Sequence, residues 1–441
     1  MRVLWVVNLP MPVIATQLDL PVSNREGWLT GIIEKIGLKP YNDRFTLAVA
    51  FPVAGEGVVI SSEVTISEQF RVHAYGFGED TDRPYRYDET LEDTFHKIIE
   101  DYKPDILHVF GTEFPHCLAS VRAFNNPEYT IIGIQGLCCK IAEHYTADIP
   151  VTVKYGFTFR DLVRKDNIWQ QIDKFRKRGE NEVEAIKLTG HVAGRTLFDR
   201  DTCASIHPGV KYHHLGETMR QPFYQGSWKI ENCTPHSIFL SQGDYPLKGF
   251  HYVLKALPAI LEKYPDTMVY VAGANILANA TWKDRIKRCS YAKYLYKLIR
   301  KRRLKDHVVM LGKLNADQMK EEYLASHVFI CPSSLENSPN SLGEAMLLGV
   351  PCVAAGVGGI PSMMVGGQDG IIYPPGDVDA LARAVIEIFE KDEITKLYSR
   401  NAKHHALTNH DSDNNYSSLM VMYYDLTIFE KQMPAIGDDP K

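Results

Sequence analysis

Twelve short runs of mostly apolar, β-branched residues recur along the 441-residue chain, separated by longer segments with helical periodicity. In the first half the runs are 3–7, 45–51, 69–75, 106–110, 130–134 and 188–193. In the second half they are 237–240, 268–272, 308–311, 328–331, 352–355 and 370–373. Strands that are apolar along their whole length are typical of parallel sheets covered by helices on both faces. The sequence therefore predicts an α/β protein with two doubly wound, Rossmann-like domains.

The two series of strands meet near residues 222–235, where we expect the boundary between the domains. We predict a first domain over 1–225, a second domain over 226–408 and a C-terminal helix within 409–441. This helix either packs as a terminal core helix or returns to the first domain. Doubly wound sheets bind ligands at the carboxyl ends of their strands, so two such domains facing each other would enclose a binding cleft.

Composition narrows the functional classes. The chain has 45% hydrophobic and 23% charged residues, as in ordinary globular proteins, and its net charge of −5 argues against bulk nucleic-acid binding. Eight cysteines show no C-x2-C spacing, which favours free thiols in a reducing compartment. The N-terminus is too short in apolar residues for a secretory signal, and no apolar run reaches the ~18 residues of a membrane span. We expect a cytoplasmic protein.

The strongest chemical signal lies between Cys331 and Asp377. A polar loop follows a predicted strand and leads into a helix, whose N-terminus with its free N–H groups suits an anion such as a pyrophosphate. Glu336 lies in the loop and Glu344 in the first turns of the helix. Two carboxylates so placed could accept hydrogen bonds from sugar hydroxyls on either side of a phosphate group; the alternative is a pair of solvated surface glutamates.

Five short motifs in order decide between these alternatives. They are P-S-S-x-E-x7-E-A-M, G-x-P-x-V-A, G-G-I-P and D-G-x3-P-P-G-D, preceded by a strand-to-helix turn that carries Lys248. Together they resemble the signature of retaining glycosyltransferase family 4 (group 1), which has the GT-B fold of two facing Rossmann-like domains. The resemblance covers about residues 237–389. It implies a nucleoside-diphosphate sugar bound mainly by the second domain as co-substrate, with no cofactor and no required metal.

The resemblance also assigns roles to residues of the second domain. It implies Glu336 near the donor sugar hydroxyls, Glu344 on the ribose, and Lys248 neutralising the diphosphate as it departs. Backbone N–H groups of the loop are expected on the sugar and phosphate, from Ser338, Asn340, Ser341 and Leu342. Residues at two strand ends match positions that line the family's base pocket, namely Gly273, Gly312 and Lys313.

The chain departs from the family at several positions. An Arg usually stands five or six residues before the Lys, where this sequence has Gly243 and Gln242. Arg195, at a strand end of the first domain, is a candidate substitute, and the alternative is an ordinary structural Arg. A Gly-rich loop normally follows the first strand, whereas residues 24–28 contain the single glycine Gly27.

Three first-domain positions bear on the acceptor side. Gln135 occupies the place where the family often has a His, and Gln cannot shuttle a proton as His can. His108 matches another frequent His, but a mid-strand His is more often a core residue. Glu113 follows the same strand and is a candidate acceptor-side group.

Two basic segments suggest a peripheral partner. Residues 283–305 contain eleven Lys and Arg interleaved with aromatic and aliphatic residues, and 160–178 form a second basic segment. Each is either an amphipathic helix resting on anionic lipid or a solvated helix face. Lipid contact would suit a lipid-linked acceptor at the inner face of the membrane.

The sequence thus predicts a retaining, metal-independent glycosyltransferase of the hexosyltransferase type. It would move a sugar from a nucleoside-diphosphate sugar to a hydroxyl of a glycan or lipid-linked acceptor in surface polysaccharide biosynthesis. Two alternatives remain open. One is a nucleotide-sugar epimerase or hydrolase of the same architecture, and the other is a catalytically weak scaffold that binds the nucleotide sugar.

Overall fold

The protein forms two α/β domains in a computed structural model that describes residues 1–22, 27–38, 45–278 and 281–428. The strands of the first sheet are β1 (Arg2–Val7), β2 (Thr46–Val53), β3 (Val58–Ser67), β4 (Phe70–Gly78), β5 (Ile106–Phe110), β6 (Thr130–Gly133), β7 (His191–Gly194) and β8 (Lys211–His214). Their order is β3-β4-β2-β1-β5-β6-β7-β8. Every pairing is parallel except that of β3 with β4, which is antiparallel.

Two strands of this sheet were absent from the sequence prediction. Edge strand β3 has five polar residues among its ten and buries only Val64, and edge strand β8 has the sequence Lys-Tyr-His-His. Edge strands face solvent on one side and need no continuous apolar run. The apolar-run criterion finds central strands and misses strands of this kind.

The first domain also contains helices. They are α1 (Pro12–Gln17), α2 (Gly27–Leu38), α3 (Thr90–Tyr102), α4 (Pro115–Phe124), α5 (Cys138–His144), α6 (Val151–Lys154), α7 (Phe159–Arg164), α8 (Ile168–Leu188) and α9 (Leu197–Ile206). The predicted basic segment 160–178 is therefore divided between α7 and α8. The division lies at Lys165, whose φ of 49° ends α7, and Asn167, whose side chain caps α8.

The second sheet is wholly parallel. Its strands are β9 (Thr234–Leu240), β10 (Met268–Ala272), β11 (Val308–Gly312), β12 (Ser326–Cys331), β13 (Cys352–Ala355) and β14 (Gly370–Tyr373). They are arranged β11-β10-β9-β12-β13-β14. The remaining helices are α10 (Phe250–Lys263), α11 (Trp282–Ile286), α12 (Ser290–Lys301), α13 (Ala316–Ala325), α14 (Asn340–Leu348), α15 (Ile360–Met363), α16 (Val378–Glu390), α17 (Asp392–Asn409) and α18 (Ser412–Ile428). All six strands predicted for this half are present.

The C-terminal helix α18 returns to the first domain. Its side chains Tyr416, Leu419 and Tyr423 are buried in the same apolar cluster as Trp5 and residues of β2. Trp5 Nε1 donates a hydrogen bond to the Tyr423 hydroxyl at 2.8 Å, and His108 Nδ1 lies 2.6 Å from the same oxygen. The structure therefore decides between the two predicted placements of this helix, and His108 is a buried core residue. The predicted domain boundary at 225/226 lies in the connection between β8 and β9.

The basic segment 283–305 is occupied mainly by α12. This helix buries Tyr291, Ala292 and Leu295 against the second domain, so its apolar face is already covered. Lys293 and Lys297 point to solvent. Of its two predicted alternatives, the solvated basic face fits this packing. Among the described residues, no helix combines the length and apolar character required to traverse a bilayer.

Candidate active site

A cavity of about 1160 Å³ lies between the two domains. Ten of the fourteen predicted site residues line it, namely Glu113, Gln135, Arg195, Lys248, Gly273, Lys313, Ser338, Asn340, Ser341 and Glu344. Those in the second domain lie beyond the carboxyl ends of parallel strands, where doubly wound sheets bind ligands. The fold therefore brings residues more than 200 positions apart in sequence to one cavity.

Lys248 and Glu336 form an ion pair beside this cavity. Lys248 ends a short 3-10 turn after β9, and its Nζ lies 2.7 Å from Glu336 Oε1 in the loop after β12. The same carboxylate oxygen accepts a hydrogen bond from Ser333 Oγ at 2.5 Å. Burial opposes the lysine charge, but the Glu336 carboxylate more than compensates and raises the pKa of Lys248 above its ordinary value. The ion pair therefore favours the charged form of the lysine.

The glycine that follows this lysine is required by the packing of the turn. Gly249 has a φ of 70°, and a Cβ atom there would lie 1.9 Å from the carbonyl oxygen of Pro332. Glycine alone combines the left-handed conformation with such a close approach. The turn that carries Lys248 is thereby held directly against the loop that carries Glu336.

The loop before α14 presents its polar face to the cavity. Ser338, Asn340 and Ser341 line the cavity at the N-terminal end of this nine-residue helix. Leu342, which is also predicted to offer its N–H, donates it to Pro339 O at 3.0 Å, and its side chain is fully buried. The turn that starts the helix uses this amide itself, so fewer N–H groups face a ligand than the sequence suggested.

Glu344 is paired with an arginine that the sequence analysis missed. Arg220 Nη2 lies 2.6 Å from Glu344 Oε1, and the Tyr323 hydroxyl lies 3.4 Å from Oε2. Burial raises the pKa of the Glu344 carboxyl, and Arg220 acts in the opposite direction. Arg220 lies in the irregular connection between the sheets, where neither periodicity nor a motif marks it. It contributes a further cation to the cavity wall.

Arg195 is held by first-domain groups. Its guanidinium is paired with Glu217 and donates to the carbonyl oxygen of Ile134 at 2.6 Å. Burial lowers its pKa, while the nearby Asp199 carboxylate acts in the opposite direction. Arg195 lines the cavity, but a large part of its hydrogen-bonding capacity is already used. Its contacts fit the structural alternative better than a free substitute for the family's Arg.

The acceptor-side candidates meet at the carboxyl ends of β5 and β6. Asn8 Nδ2 lies 3.4 Å from Glu113 Oε2, and burial raises the pKa of Glu113, opposed by the charge of Arg178. The backbone carbonyl oxygen of Gln135 accepts a hydrogen bond from Asn337 Nδ2 of the second domain at 2.9 Å. Neither side chain is an exposed surface group.

The three predicted glycines lie at different kinds of position in the fold. Gly273 and Gly312 end β10 and β11 with φ values of 101° and 82°, where glycine is favoured. Lys313, which lines the cavity, follows directly. Gly27 begins α2, and the loop residues 23–26 before it lie outside the described residues.

Several polar atoms at the cavity have no partner. Within the described part of the chain, Gln135 Nε2, Glu217 Oε2 and Asp244 Oδ1 are buried without a hydrogen bond, and all three side chains line the cavity. Buried polar groups are normally satisfied, so such atoms are ready to bind a polar ligand. Over the same residues, no group of three His, Cys, Asp or Glu side chains is placed to hold a metal ion.

Comparison with solved structures identifies the architecture as GT-B. Sucrose-phosphate synthase from Thermosynechococcus elongatus superposes with a TM-score of 0.68 over 97% of this chain and 100% of that chain, at 13% identity. Anabaena HepE in complex with UDP and glucose gives a TM-score of 0.64 over 96% and 99%, at 15% identity. The two-domain fold is therefore that of GT-B glycosyltransferases.

The family comparison concerns the second domain. Residues 228–405 match the model of "Glycosyl transferases group 1". The matched residues run from the connection before β9 into α17, so they comprise the second domain.

Curated relatives align over less than half of the chain. Spore coat protein SA of Bacillus subtilis is 27% identical over 190 residues, 42% of this chain and 46% of that protein. A GDP-mannose-dependent phosphatidylinositol monomannoside mannosyltransferase of Mycolicibacterium smegmatis is 25% identical over 198 residues, 43% of this chain and 46% of that protein. The chain thus spans about half the length of these relatives.

Proposed function

We propose that this protein is a retaining glycosyltransferase that moves a sugar from a nucleoside-diphosphate sugar to a hydroxyl of a glycan or lipid-linked acceptor. The observation that carries the proposal is the Lys248–Glu336 ion pair beside the N-terminus of α14, with Glu344 and Arg220 on the same cavity wall. Two cations and backbone N–H groups suit a diphosphate, and two carboxylates suit the hydroxyls on either side of it.

In the proposed reaction, the bond between the anomeric carbon and the diphosphate breaks and its electron pair goes to the phosphate oxygen. Lys248 and the helix N-terminus stabilise this developing negative charge without the aid of a metal ion. The acceptor oxygen bonds to the anomeric carbon on the face that the phosphate leaves, and the departing phosphate takes the acceptor proton. A dedicated base is then unnecessary, so a neutral Gln135 beside the sugar is compatible with catalysis.

The nature of the substrates has separate support. The similar structure of Anabaena HepE is a complex with UDP and glucose, and the name of the Mycolicibacterium smegmatis relative specifies GDP-mannose, which favours a nucleotide-sugar donor. The same relative's name specifies a phosphatidylinositol-linked acceptor, which favours a lipid-linked or glycan acceptor here. A role in surface polysaccharide biosynthesis at the inner face of the membrane belongs to this proposal.

The test begins with a panel of UDP, GDP, ADP and their sugars, scored by thermal stabilisation. The best donor is then incubated with lipid-linked and free glycan acceptors, and the anomeric configuration of the product is read by NMR. Transfer with retention of configuration supports the proposal. Release of nucleotide without a glycoside would favour the hydrolase alternative, and stabilisation without turnover on any acceptor would favour the binding scaffold.

A further inference from the structure

Exposed large apolar side chains are concentrated in one short segment of the first domain. Of the nineteen that are exposed in the described residues, seven lie between positions 151 and 169. They are 41% to 69% exposed and comprise Val151, Tyr155, Phe157, Phe159, Leu162, Val163 and Trp169. Single exposed apolar residues are normal, whereas a cluster of this size marks an interaction surface.

The segment has a defined structure that holds these side chains outward. The Thr158 side chain and Asp161 form a capping box that starts α7, and Asn167 with Gln170 forms another that starts α8. The rings of Tyr155 and Trp169 lie 5.5 Å apart between centroids. The apolar side chains therefore project from capped helices and the turns between them.

Positive charge surrounds the apolar side chains. Lys154 Nζ lies 5.4 Å from the ring centroids of both Tyr155 and Trp169. Arg164 and Lys165 are exposed, and neither forms an ion pair within the described part of the chain. We name the exposed residues of 151–165 the α6–α7 surface.

Three acidic groups near this surface are paired with cations. Asp161 and Asp166 are both paired with Arg160, and Asp173 is paired with Arg176 and Lys177. The α6–α7 surface itself therefore keeps a positive balance.

The second domain adds further positive charge beside this surface. The backbone N–H of Ser290, at the start of α12, donates to Asp161 Oδ2 at 3.1 Å. Lys293, Lys297 and Arg300 are exposed along that helix. The two basic segments of the sequence thus meet in the folded protein, although they contribute differently: α7 supplies apolar and basic side chains, and α12 supplies basic side chains only.

Aromatic and aliphatic side chains rimmed by Lys and Arg match a membrane interface, where the apolar groups enter the acyl boundary and the cations meet anionic headgroups. We propose that the α6–α7 surface docks on an anionic lipid bilayer. The positive charges of Arg164 and Lys165 favour an anionic bilayer over an apolar protein partner, because an apolar partner would leave both charges without a counter-ion. This docking proposal rests on the proposed function and extends it, because a lipid-linked acceptor would lie in that bilayer. A measurement of binding to vesicles is sufficient to test the docking.

The α6–α7 surface is also close to the active-site cavity. Arg160 on α7 lines a second cavity of about 330 Å³, whose wall includes Asp244 and Tyr245. Asp244 lines the main cavity as well. A bilayer held at this surface would therefore lie near a cavity that shares a lining residue with the main cavity.

The experiment measures co-flotation of the full chain with vesicles of phosphatidylglycerol and phosphatidylcholine, and with vesicles of phosphatidylcholine alone. We expect binding to the anionic vesicles that weakens as salt is raised. Phe157→Ser/Phe159→Ser should lower the partition coefficient about tenfold or more by removing apolar insertion, and Arg164→Glu/Lys165→Glu should lower it about tenfold or more by reversing charge. Leu397→Ser/Leu407→Ser, which removes two exposed apolar side chains from α17, should bind like the wild type.

Nucleotide binding and the unfolding temperature of each variant show that its fold is intact. The proposal is overturned if the wild type does not float with anionic vesicles, or if both surface variants float as well as the wild type. It is equally overturned if Phe157→Ser/Phe159→Ser converts a dimer into a monomer in sedimentation while lipid binding is absent, because the surface would then join two copies of this chain. These outcomes do not depend on sugar transfer, so the docking and the proposed reaction can fail separately.

Discussion

Lys248 Nζ and Glu336 Oε1 lie 2.7 Å apart although 88 residues separate them in the sequence. The contact joins the turn after β9 to the loop after β12, two neighbouring strands of the second sheet. Because both groups are largely buried, the carboxylate offsets the cost of burying the lysine charge, and a ligand diphosphate would have to share the lysine with the carboxylate.

Replacing the lysine should abolish most transfer. We expect Lys248→Ala to lower kcat by about 10²- to 10³-fold, since one preorganised cation at a developing negative charge contributes this much. Steady-state kinetics with the best donor measure the change. Lys263→Ala, which removes an exposed lysine that pairs with Glu390 at the ends of α10 and α16, is the matched control and should leave kcat unchanged. Wild-type kcat in Lys248→Ala would remove the lysine from the mechanism.

Glu336→Gln should weaken binding of the nucleotide sugar more than binding of the nucleoside diphosphate. The amide keeps the size of the side chain but loses the charge that pairs with Lys248. We expect the Kd of the nucleotide sugar to rise about tenfold more than the Kd of the bare nucleoside diphosphate. The reason is that a hydrogen bond to a charged group is worth about 1.5–3 kcal/mol. Calorimetric titration with both ligands measures the difference. Equal changes for the two ligands would contradict a contact with the sugar.

Arg220→Ala should make nucleotide binding sensitive to acid. Burial raises the pKa of Glu344 and Arg220 opposes that rise, so removing the arginine should raise the pKa further. A carboxyl that is protonated at higher pH accepts hydrogen bonds poorly, and the affinity should fall as pH is lowered toward that pKa. Titrations across a pH series measure the profile, which Arg220→Lys should partly restore. Arg200→Ala, an exposed arginine on α9, should keep the wild-type profile.

Tyr423→Phe should destabilise the protein without changing donor affinity. The hydroxyl lies within hydrogen-bond distance of Trp5 and His108, and its loss would leave both buried ring nitrogens without this partner. The expected cost is about 1–3 kcal/mol in the free energy of unfolding. Chemical denaturation measures it, with Tyr270→Phe as a control whose hydroxyl has no hydrogen bond within the described residues. Unchanged stability would show that α18 is not anchored through this tyrosine.

Buried histidines should make the fold sensitive to acid below about pH 6.5. Burial lowers the pKa of His251 to about 4, and it does the same for His327. A histidine that is protonated near pH 6.5 when unfolded, but near 4 when folded, contributes stability above pH 6.5 that is lost as pH falls toward 4. Each such group changes the free energy of unfolding by up to about 1.4 kcal/mol per pH unit.

The variant His251→Gln tests this pH dependence. The amide can still donate to the carbonyl oxygen of Ala147, which His251 Nε2 contacts at 2.7 Å. Denaturation between pH 4.5 and 6.5 should therefore give a shallower slope than in the wild type. His96→Gln, at an exposed position of α3, should keep the wild-type slope. Parallel slopes for His251→Gln and the wild type would refute the assignment.

The sequence by itself determined the features that depend on local spacing. Apolar runs revealed the buried strands, because a strand covered on both faces must be apolar throughout. The motif around Glu336 and Glu344 revealed a ligand loop, because a strand, a polar turn and a helix N-terminus are adjacent along the chain. Edge strand β3 was not predicted, because a strand that faces solvent on one side carries no continuous apolar run.

Only the tertiary structure decided what depends on packing between distant segments. Arg220 reaches Glu344, α18 returns to Trp5 and His108, and α7 meets α12, through contacts that span from about 120 to more than 400 residues of sequence. No local pattern encodes such a pairing, because an Arg, a Tyr or a basic helix can also remain solvated. Only the packing of the distant segment against it replaces the surrounding water with a specific partner. The exposure of Phe157 and Phe159 follows the same logic: the apolar residues were visible in the sequence, but the fold determines that nothing in the described chain covers them.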